Sequence, residues 1–277
     1  MRFGVNTLLW TAAFDETHLP LLAKVKQMGF DGIEIARFAF DDFPASRIKR
    51  ALGAEGLGVT FCSALTGRMS LVSDEAGVRG EAREFLARGI EAAAELGART
   101  FLGPFCAPVG LLPGRRRTGE EWKRAVEGLQ SLGERLEASD VTLAVEPLNR
   151  FETYLLNTAA DGKRLCEEVG HARVGILFDT FHGNIEEKDL GGAIRLLGGH
   201  LKHIHTCEND RGIPGTGHVE WKAVFAALRE VDYDGWAVIE SFGANIPEIA
   251  AAACLWRDLA SSSDAIAADG LAFLREL

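Results

Sequence analysis

Residues 141–158 read VTLAVEPLNRFETYLLNT, and they contain a strand and a strand end from which the fold can be predicted. The apolar run at their start is typical of a buried β-strand. That run closes on the carboxylate of Glu146, and a second carboxylate, Glu152, follows six residues later. A charge at the end of a buried strand is costly unless a partner neutralises it, and a metal ion is one such partner.

The same unit, a short apolar run followed by a longer amphipathic segment, recurs along the whole chain. The predicted strands begin near residues 2, 31, 58, 98, 141, 174, 201 and 235. Helices are predicted at 17–29, 44–56, 75–97, 118–139, 158–170, 189–198 and 220–231, with another from residue 245. Thr158 and Asp189 fit helix N-caps. Four glycines fit helix C-caps: Gly29, Gly56, Gly97 and Gly170.

Eight strands alternating with eight helices predict an α/β fold, a single (β/α)8 TIM barrel. An open doubly wound sheet is the competing fold, but the glycine-rich phosphate motif expected after its first strand is absent. A barrel of about 250 residues would use nearly the whole chain, and no linker interrupts the sequence. We therefore expect one catalytic domain over residues 1–277, with residues 261–277 forming a short extra helix packed outside the barrel.

The composition argues against several classes of protein. The chain is 47% hydrophobic and 25% charged, and its formal net charge of −10 does not suit a phosphate backbone. No apolar segment has the length of a membrane span, and the N-terminus lacks a signal-peptide pattern. The five cysteines include no CxxC pair, which favours reduced thiols. We therefore expect a cytoplasmic protein with no nucleic-acid or membrane partner.

The active site of a TIM barrel forms at the carboxyl ends of the strands. Strands one to four end in largely uncharged residues, whereas strands five to eight end in four ionisable ones: Glu146, Asp179, His205 and Glu240. Each has an ordinary explanation by itself, as a solvated loop glutamate, a capping aspartate or a core histidine. Four such groups at matched positions indicate a metal site instead. Three carboxylates and one imidazole suit Mn²⁺, Mg²⁺ or Co²⁺.

Three further polar residues follow these strand ends: Glu152, His182 and Arg211. All three fall in loops at the same end of the barrel, where they could hydrogen-bond a polar ligand held on the metal. The stretch RGIPGTGH, residues 211–218, predicts a structured loop that folds over the site. Because this loop carries only one arginine, a phosphorylated substrate is the less favoured option.

Four stretches resemble the motifs of the ketose 3-epimerases: VEPLNRFETYLLNT, FDTFHGNIEEKD, HIHTCENDRGIPGTGHVEW and VIESFG. That family contains the D-tagatose, D-allulose (psicose) and L-ribulose 3-epimerases, within the sugar isomerase and endonuclease IV-like TIM-barrel superfamily. The resemblance covers nearly the whole chain. It implies an isomerase that epimerises free ketoses at C3, with one divalent ion per chain and a homodimer or homotetramer as the assembly.

Residue by residue, the resemblance implies metal ligands at Glu146, Asp179, His205 and Glu240, and substrate-binding residues at Glu152, His182 and Arg211. An apolar pocket for the far end of the sugar would lie near Trp10, Cys62, Ser63 and Phe105. The resemblance does not identify the preferred ketose.

The implied reaction removes the proton at C3, beside the C2 carbonyl, and returns a proton on the opposite face through an enediolate. A divalent ion, Mn²⁺ before Co²⁺ or Mg²⁺, would polarise the carbonyl. Glu146 and Glu240 would be the two acid/base carboxylates. Glu152 would orient Glu146 or a substrate hydroxyl, while His182 and Arg211 would bind O1 and O2.

Other functions on the same barrel stay open at this point. The nearest is an aldose–ketose isomerase, such as a hydroxypyruvate isomerase, followed by an inosose dehydratase-like lyase. A DNA-repair endonuclease of the endonuclease IV type would need three zinc ions and more histidines on early strands, where Cys62-Ser63 and Gly103-Pro104 stand instead. A non-catalytic sugar-binding barrel would have no reason to keep all seven site residues.

Overall fold

A computed structural model describes residues 1–277 and shows a closed barrel of eight parallel strands. The strands pair in chain order, and the last pairs with the first. They are β1 Arg2–Asn6, β2 Gly32–Ala36, β3 Gly58–Cys62, β4 Thr100–Gly103, β5 Thr142–Val145, β6 Val174–Asp179, β7 Leu201–His205 and β8 Trp236–Ile239. The predicted (β/α)8 barrel is therefore confirmed, and each predicted strand is present.

Eleven α-helices surround the strands or lie between them. They are α1 Pro20–Met28, α2 Ala45–Glu55, α3 Ala76–Leu96, α4 Gly119–Gln130, α5 Gly133–Ser139, α6 Ala159–Val169, α7 Thr180–Glu186, α8 Leu190–Leu197, α9 Trp221–Glu230, α10 Pro247–Ala252 and α11 Ser263–Leu274. Thr158 and Asp189 accept backbone hydrogen bonds as N-caps. The four predicted C-cap glycines all adopt the left-handed conformation. The local signals for helix ends are confirmed.

Three helical segments differ from the prediction. The segment expected to be one helix at 118–139 is divided into α4 and α5, because Ser131 ends α4 and turns its hydroxyl back onto the carbonyl oxygen of Gly128. The segment from residue 245 forms only the short helix α10. Helix α7 was not expected; it begins directly after β6, where Asp179 caps it.

The amino-terminal end of the barrel interior is filled by one indole. An added Cβ at Gly32 or Gly58 would lie 2.4–2.7 Å from ring atoms of Trp236, so the absence of side chains there makes room for this residue. The guanidinium of Arg2 covers the same ring, 4.2 Å from its centroid. The barrel is therefore closed at this end.

Higher in the barrel, the interior contains an apolar cluster and a polar one. The apolar cluster consists of Cys62, Leu102, Ala144 and Leu177 together with Leu8, Ala36 and Ile249. The polar cluster consists of Asn6, Glu34, Thr60 and His203, all at most 1% exposed. A TIM barrel interior is usually dominated by branched apolar residues, so this polar cluster requires an explanation.

The C-terminal helix α11 packs on the outside of the barrel, as the tail sequence predicts. Its Gly270 lies against Ile239 of β8 and Pro214, and Phe273 meets Trp221 of α9 edge-on at 6.2 Å. Arg275, at its end, donates a hydrogen bond to the carbonyl oxygen of Gly29 after α1. No helix in the chain is both long enough and apolar enough to span a bilayer.

Gly103, the last residue of β4, has a backbone conformation and a close contact that exclude a side chain. Its φ of 144° lies outside the range that other residues favour, and an added Cβ would lie 1.9 Å from the carbonyl oxygen of Ser63. We expect Gly103→Ala to lower the free energy of unfolding by at least about 2 kcal/mol, measured by urea denaturation.

The matched control is Gly53→Ala in α2, where an added Cβ meets nothing within 4 Å. That change should raise the free energy of unfolding by about 0.5–1 kcal/mol, because alanine favours helix. Equal stability of the two variants would show that Gly103 does not hold the strained conformation.

Candidate active site

The structure brings the four ionisable strand ends together. Glu146 and Glu240 directly follow β5 and β8, whereas Asp179 and His205 are the last residues of β6 and β7. All four residues are buried, and their ligand atoms lie within 4.8 Å of one another. The imidazole Nδ1 of His205 faces all three carboxylates, at 3.3 Å from Glu240, 3.6 Å from Asp179 and 4.0 Å from Glu146. The four groups form one compact cluster.

Backbone hydrogen bonds hold two of these carboxylates in place. Oδ1 of Asp179 accepts from the backbone N–H groups of Phe181 at 2.6 Å and His182 at 3.3 Å, which caps α7. The other oxygen, Oδ2, therefore remains directed into the site. The backbone N–H of Glu146 donates to the carbonyl oxygen of Gly103 at 2.9 Å and continues the strand pairing one residue past β5.

Arg211 supplies the positive charge nearest to the carboxylates. Its Nη1 donates to Oδ2 of Asp179 at 2.7 Å and to Oε2 of Glu240 at 3.0 Å. Its φ of 65° is uncommon for a residue with a side chain, and the Ser241 hydroxyl donates to its carbonyl oxygen. The loop after β7 therefore holds this arginine in the site rather than in solvent.

Burial and the neighbouring charges shift the pKa values of Glu146 and Asp179 in opposite directions. Burial, reinforced by the charge of Glu240, raises the pKa of Glu146 well above its usual range. Burial also disfavours the charge on Asp179, but Arg211 and His205 outweigh it and hold the pKa of Asp179 well below its usual range. For His205, burial is outweighed by Glu240 and Glu34, which raise the pKa of the imidazole. The cluster therefore attracts positive charge.

Two atoms of the cluster have the environment expected of metal ligands. Oε1 of Glu146 and Nδ1 of His205 are both buried and have no hydrogen-bond partner. Buried polar atoms are nearly always paired, so two unpaired ones 4.0 Å apart suit a shared partner such as a cation. Three carboxylates and one imidazole make an oxygen-rich donor set of the kind that Mn²⁺ or Mg²⁺ binds. The residues present fit a divalent ion.

The three polar loop residues also lie around this cluster. His182 is buried beside it, with Nε2 at 3.2 Å from Nη2 of Arg211 and 3.7 Å from Oε1 of Glu146. The backbone N–H of Asn149 donates to Nδ1 of His182 at 3.1 Å, which holds the ring with Nε2 toward the cluster. Burial lowers the pKa of His182 to about 4, which keeps the ring neutral near pH 7.

Glu152 contacts the site indirectly. It accepts a hydrogen bond from Nδ2 of Asn149 at 2.8 Å, and that amide nitrogen lies 2.9 Å from Nδ1 of His182. The expectation that Glu152 orients Glu146 therefore has no direct contact to support it. In this structure Glu152 orients Asn149, which in turn holds His182.

Sequence reasoning missed Glu34, which lies inside the barrel beneath the cluster. Its Oε1 accepts from Nδ2 of Asn6 at 2.9 Å and is 2.7 Å from Nε2 of His205. Its Oε2 accepts from the hydroxyl of Thr60 at 2.8 Å and lies 3.0 Å from Nε2 of His203. Burial opposes the charge, but the two histidines outweigh it and lower the pKa of Glu34. The available signal was a glutamate in the middle of an apolar strand, GIEIA.

Sequence reasoning also missed Glu208, which holds the loop that carries Arg211. Its carboxylate accepts hydrogen bonds from the backbone N–H groups of Asn209, Gly215 and Val219 and from the indole N–H of Trp221. The residue is fully buried. The loop over residues 208–219 is therefore a fixed structure, as the RGIPGTGH stretch predicts.

The predicted pocket for the far end of the sugar is only partly recognisable. Phe105 is wholly buried and packs on Phe101, with ring centroids 4.6 Å apart, so it belongs to the core and does not line an opening. Trp10 is half-buried and lines a cavity of about 430 Å³ together with Phe242. The hydroxyl of Ser63 is buried without a partner.

Comparisons with known proteins give the family. The family described as a xylose isomerase-like TIM barrel matches residues 22–277. A probable ketose 3-epimerase of Synechocystis sp. is 40% identical over 100% of this chain and 96% of its own length. A D-psicose 3-epimerase of Agrobacterium fabrum is 32% identical over 95% of this chain and 93% of its own length.

A solved structure of an L-ribulose 3-epimerase superposes with a TM-score of 0.94 at 33% identity. It covers 99% of this chain, and this chain covers 93% of it. The fold, the polar cluster at the strand ends and the full-length similarity agree. This chain belongs to the ketose 3-epimerase family, carbohydrate epimerases within the xylose isomerase-like TIM barrels.

Proposed function

We propose that this protein interconverts free ketoses that differ at C3 and that it does so with one divalent ion, Mn²⁺ before Co²⁺ or Mg²⁺. The observation that carries the proposal is the buried cluster in which Glu146 and His205 each present an unpaired atom. The relatives named as D-psicose and L-ribulose 3-epimerases support ketohexoses and ketopentoses as the substrate class.

Four residues would hold the ion: Glu146, Asp179, His205 and Glu240. When bound, such an ion supplies Lewis acidity that polarises the C2 carbonyl and stabilises negative charge on the substrate oxygens. The protein keeps all four side chains out of water, which strengthens electrostatic effects inside the site.

Glu146 and Glu240 would act as the two acid/base groups. They follow β5 and β8, and two strands, β6 and β7, lie between those two in the closed barrel. A substrate seated between them would offer one face of C3 to each carboxylate. One glutamate would take the C3 proton, and the other would return a proton to the opposite face. The roles would exchange in the reverse reaction.

His182 and Arg211 would position the sugar. Nε2 of His182 points toward the cluster, because Nδ1 is already occupied by the Asn149 backbone N–H. Arg211 offers a guanidinium that contacts Asp179 and Glu240 in the same pocket. These polar groups suit the oxygens O1 and O2 of a ketose, and Glu152 supports His182 through Asn149.

The remaining expectations also stand as proposals. We propose that residues 1–277 work as one catalytic domain and that the protein assembles as a homodimer or homotetramer. Aldose–ketose isomerisation remains the competing activity. Its enediol would span C1 and C2 of the sugar, and it could use the same metal-site residues.

Glu240→Gln tests the two-carboxylate mechanism, because it removes the acid/base group and preserves side-chain size. With saturating Mn²⁺ and a panel of ketoses, we expect kcat for formation of the C3 epimer to fall by about 10²–10⁴-fold, as measured by chromatography of the products. The far-ultraviolet circular dichroism spectrum should remain that of the wild type.

The control is Glu248→Gln, which changes an exposed glutamate on α10, eight positions further along the chain. It should leave turnover unchanged. Wild-type turnover in Glu240→Gln would rule out its role as an acid/base group. Formation of an aldose by the wild type would show that the protein is an aldose–ketose isomerase and not a 3-epimerase.

His182→Ala tests the positioning of the sugar. We expect kcat/KM to fall about tenfold, since one hydrogen bond to the substrate is lost. The affinity for Mn²⁺, measured by calorimetry, should change less than about threefold because the ring is not among the four ligands. His218→Ala, at an exposed position in the loop after β7, is the control and should match the wild type. An unchanged kcat/KM in His182→Ala would exclude a contact with the substrate.

A further inference from the structure

The polar cluster inside the barrel contains a carboxylate that the proposed mechanism does not use. Glu34 stands in the middle of β2 and has no exposed surface. Burying a charge in a protein interior costs several kcal/mol unless good geometry and hydrogen bonds compensate. Apolar side chains fill neighbouring positions of the same interior: Cys62, Leu102, Ala144 and Leu177. Packing alone therefore does not require an acid at this position.

The hydrogen bonds of Glu34 hold its carboxylate in one orientation. Asn6 donates to Oε1 and Thr60 donates to Oε2. Nε2 of His205 lies 2.7 Å from Oε1, a short hydrogen bond, so this nitrogen carries a proton that points at Glu34. Each oxygen thus has a fixed donor from the barrel wall, and Oε1 has a second one in His205.

The hydrogen bond between Nε2 of His205 and Glu34 determines which nitrogen of the ring faces the carboxylates. A neutral imidazole has one N–H group and one bare nitrogen. With the proton at Nε2, the bare nitrogen is Nδ1, and Nδ1 is the atom that faces Glu146, Asp179 and Glu240 without a hydrogen-bond partner. A ring turned over, or one with its proton on Nδ1, would present an N–H to the site and could not bind a cation.

We propose that Glu34 is a positioning residue that fixes the ring orientation of His205 with Nε2–H toward Glu34, so that Nδ1 is the nitrogen that faces the site and binds a divalent cation. This inference rests on the proposed metal site. A carboxylate that accepts the second N–H of a ligand histidine also makes the ring a stronger ligand. Glu34 touches neither the cation nor the substrate and acts only through His205.

The test measures metal binding directly and does not depend on activity. Apoprotein, prepared with a chelator, is titrated with Mn²⁺ in a calorimeter. In Glu34→Gln the side chain keeps its size, but it is neutral and an NH2 group replaces one oxygen, so the charge-assisted hydrogen bond that orients Nε2–H of His205 is lost. We expect the dissociation constant for Mn²⁺ to rise by about 10–100-fold.

Thr60→Val is the matched control. It removes a buried donor to the same carboxylate, but on Oε2, and leaves the bond from His205 to Oε1 in place. The dissociation constant should change less than about threefold, even if the melting temperature of the apoprotein falls. A role in stability alone would lower the melting temperatures of both variants and leave both dissociation constants near that of the wild type.

A second measurement needs no variant and applies even if Glu34→Gln fails to fold. Long-range ¹H–¹⁵N NMR spectra of the Zn²⁺-loaded wild type report which imidazole nitrogen of His205 carries the proton. We expect the proton on Nε2 and the metal on Nδ1. A proton on Nδ1, or a dissociation constant for Glu34→Gln within threefold of the wild-type value, would overturn the role of Glu34 alone. Failure of the wild type to bind any divalent ion would overturn the metal site as well.

Discussion

Three carboxylates meet Nδ1 of His205 inside one buried pocket, and their mutual repulsion is the constraint on which the rest of this end of the barrel depends. The closed barrel forces this arrangement, since the ends of β5 to β8 converge and place the ligand atoms within 4.8 Å of one another. Like charges in a dry pocket are unstable together unless positive charge is added. In this chain part of that charge comes from Arg211, and we propose that a divalent ion bound to Nδ1 of His205 and the carboxylates supplies the remainder.

The surrounding structure keeps Arg211 and His205 in place. Glu208 ties the loop after β7 through four hydrogen bonds, and the loop in turn holds Arg211 in a left-handed backbone conformation against Asp179 and Glu240. Glu34 does the equivalent for His205 from below. Both supporting residues are themselves buried carboxylates. Glu34 lies inside the barrel and Glu208 lies in the loop after β7.

Much of this could be predicted from the sequence because it depends on local patterns. Strand and helix ends carry capping residues and glycines, and a parallel barrel brings equivalent strand ends together. Glu34 was missed because the alternation in GIEIA normally indicates a strand with a polar face toward solvent. In this barrel helices cover the outer face, so Ile33 and Ile35 pack outward and the glutamate points inward. Glu208 was missed because its partners, such as Trp221, are brought to it only by the fold of the loop.

The central claim is that a proton leaves and returns at C3 of a ketose. It is tested most directly by proton NMR in D₂O, with Mn²⁺-reconstituted enzyme, a panel of ketoses, and the metal removed before the spectra are recorded. We predict deuterium at C3 together with the C3 epimer, and the fastest substrate would identify the preferred sugar. Deuterium at C1 or C2 with formation of an aldose, or no exchange with any ketose of the panel, would contradict the claim.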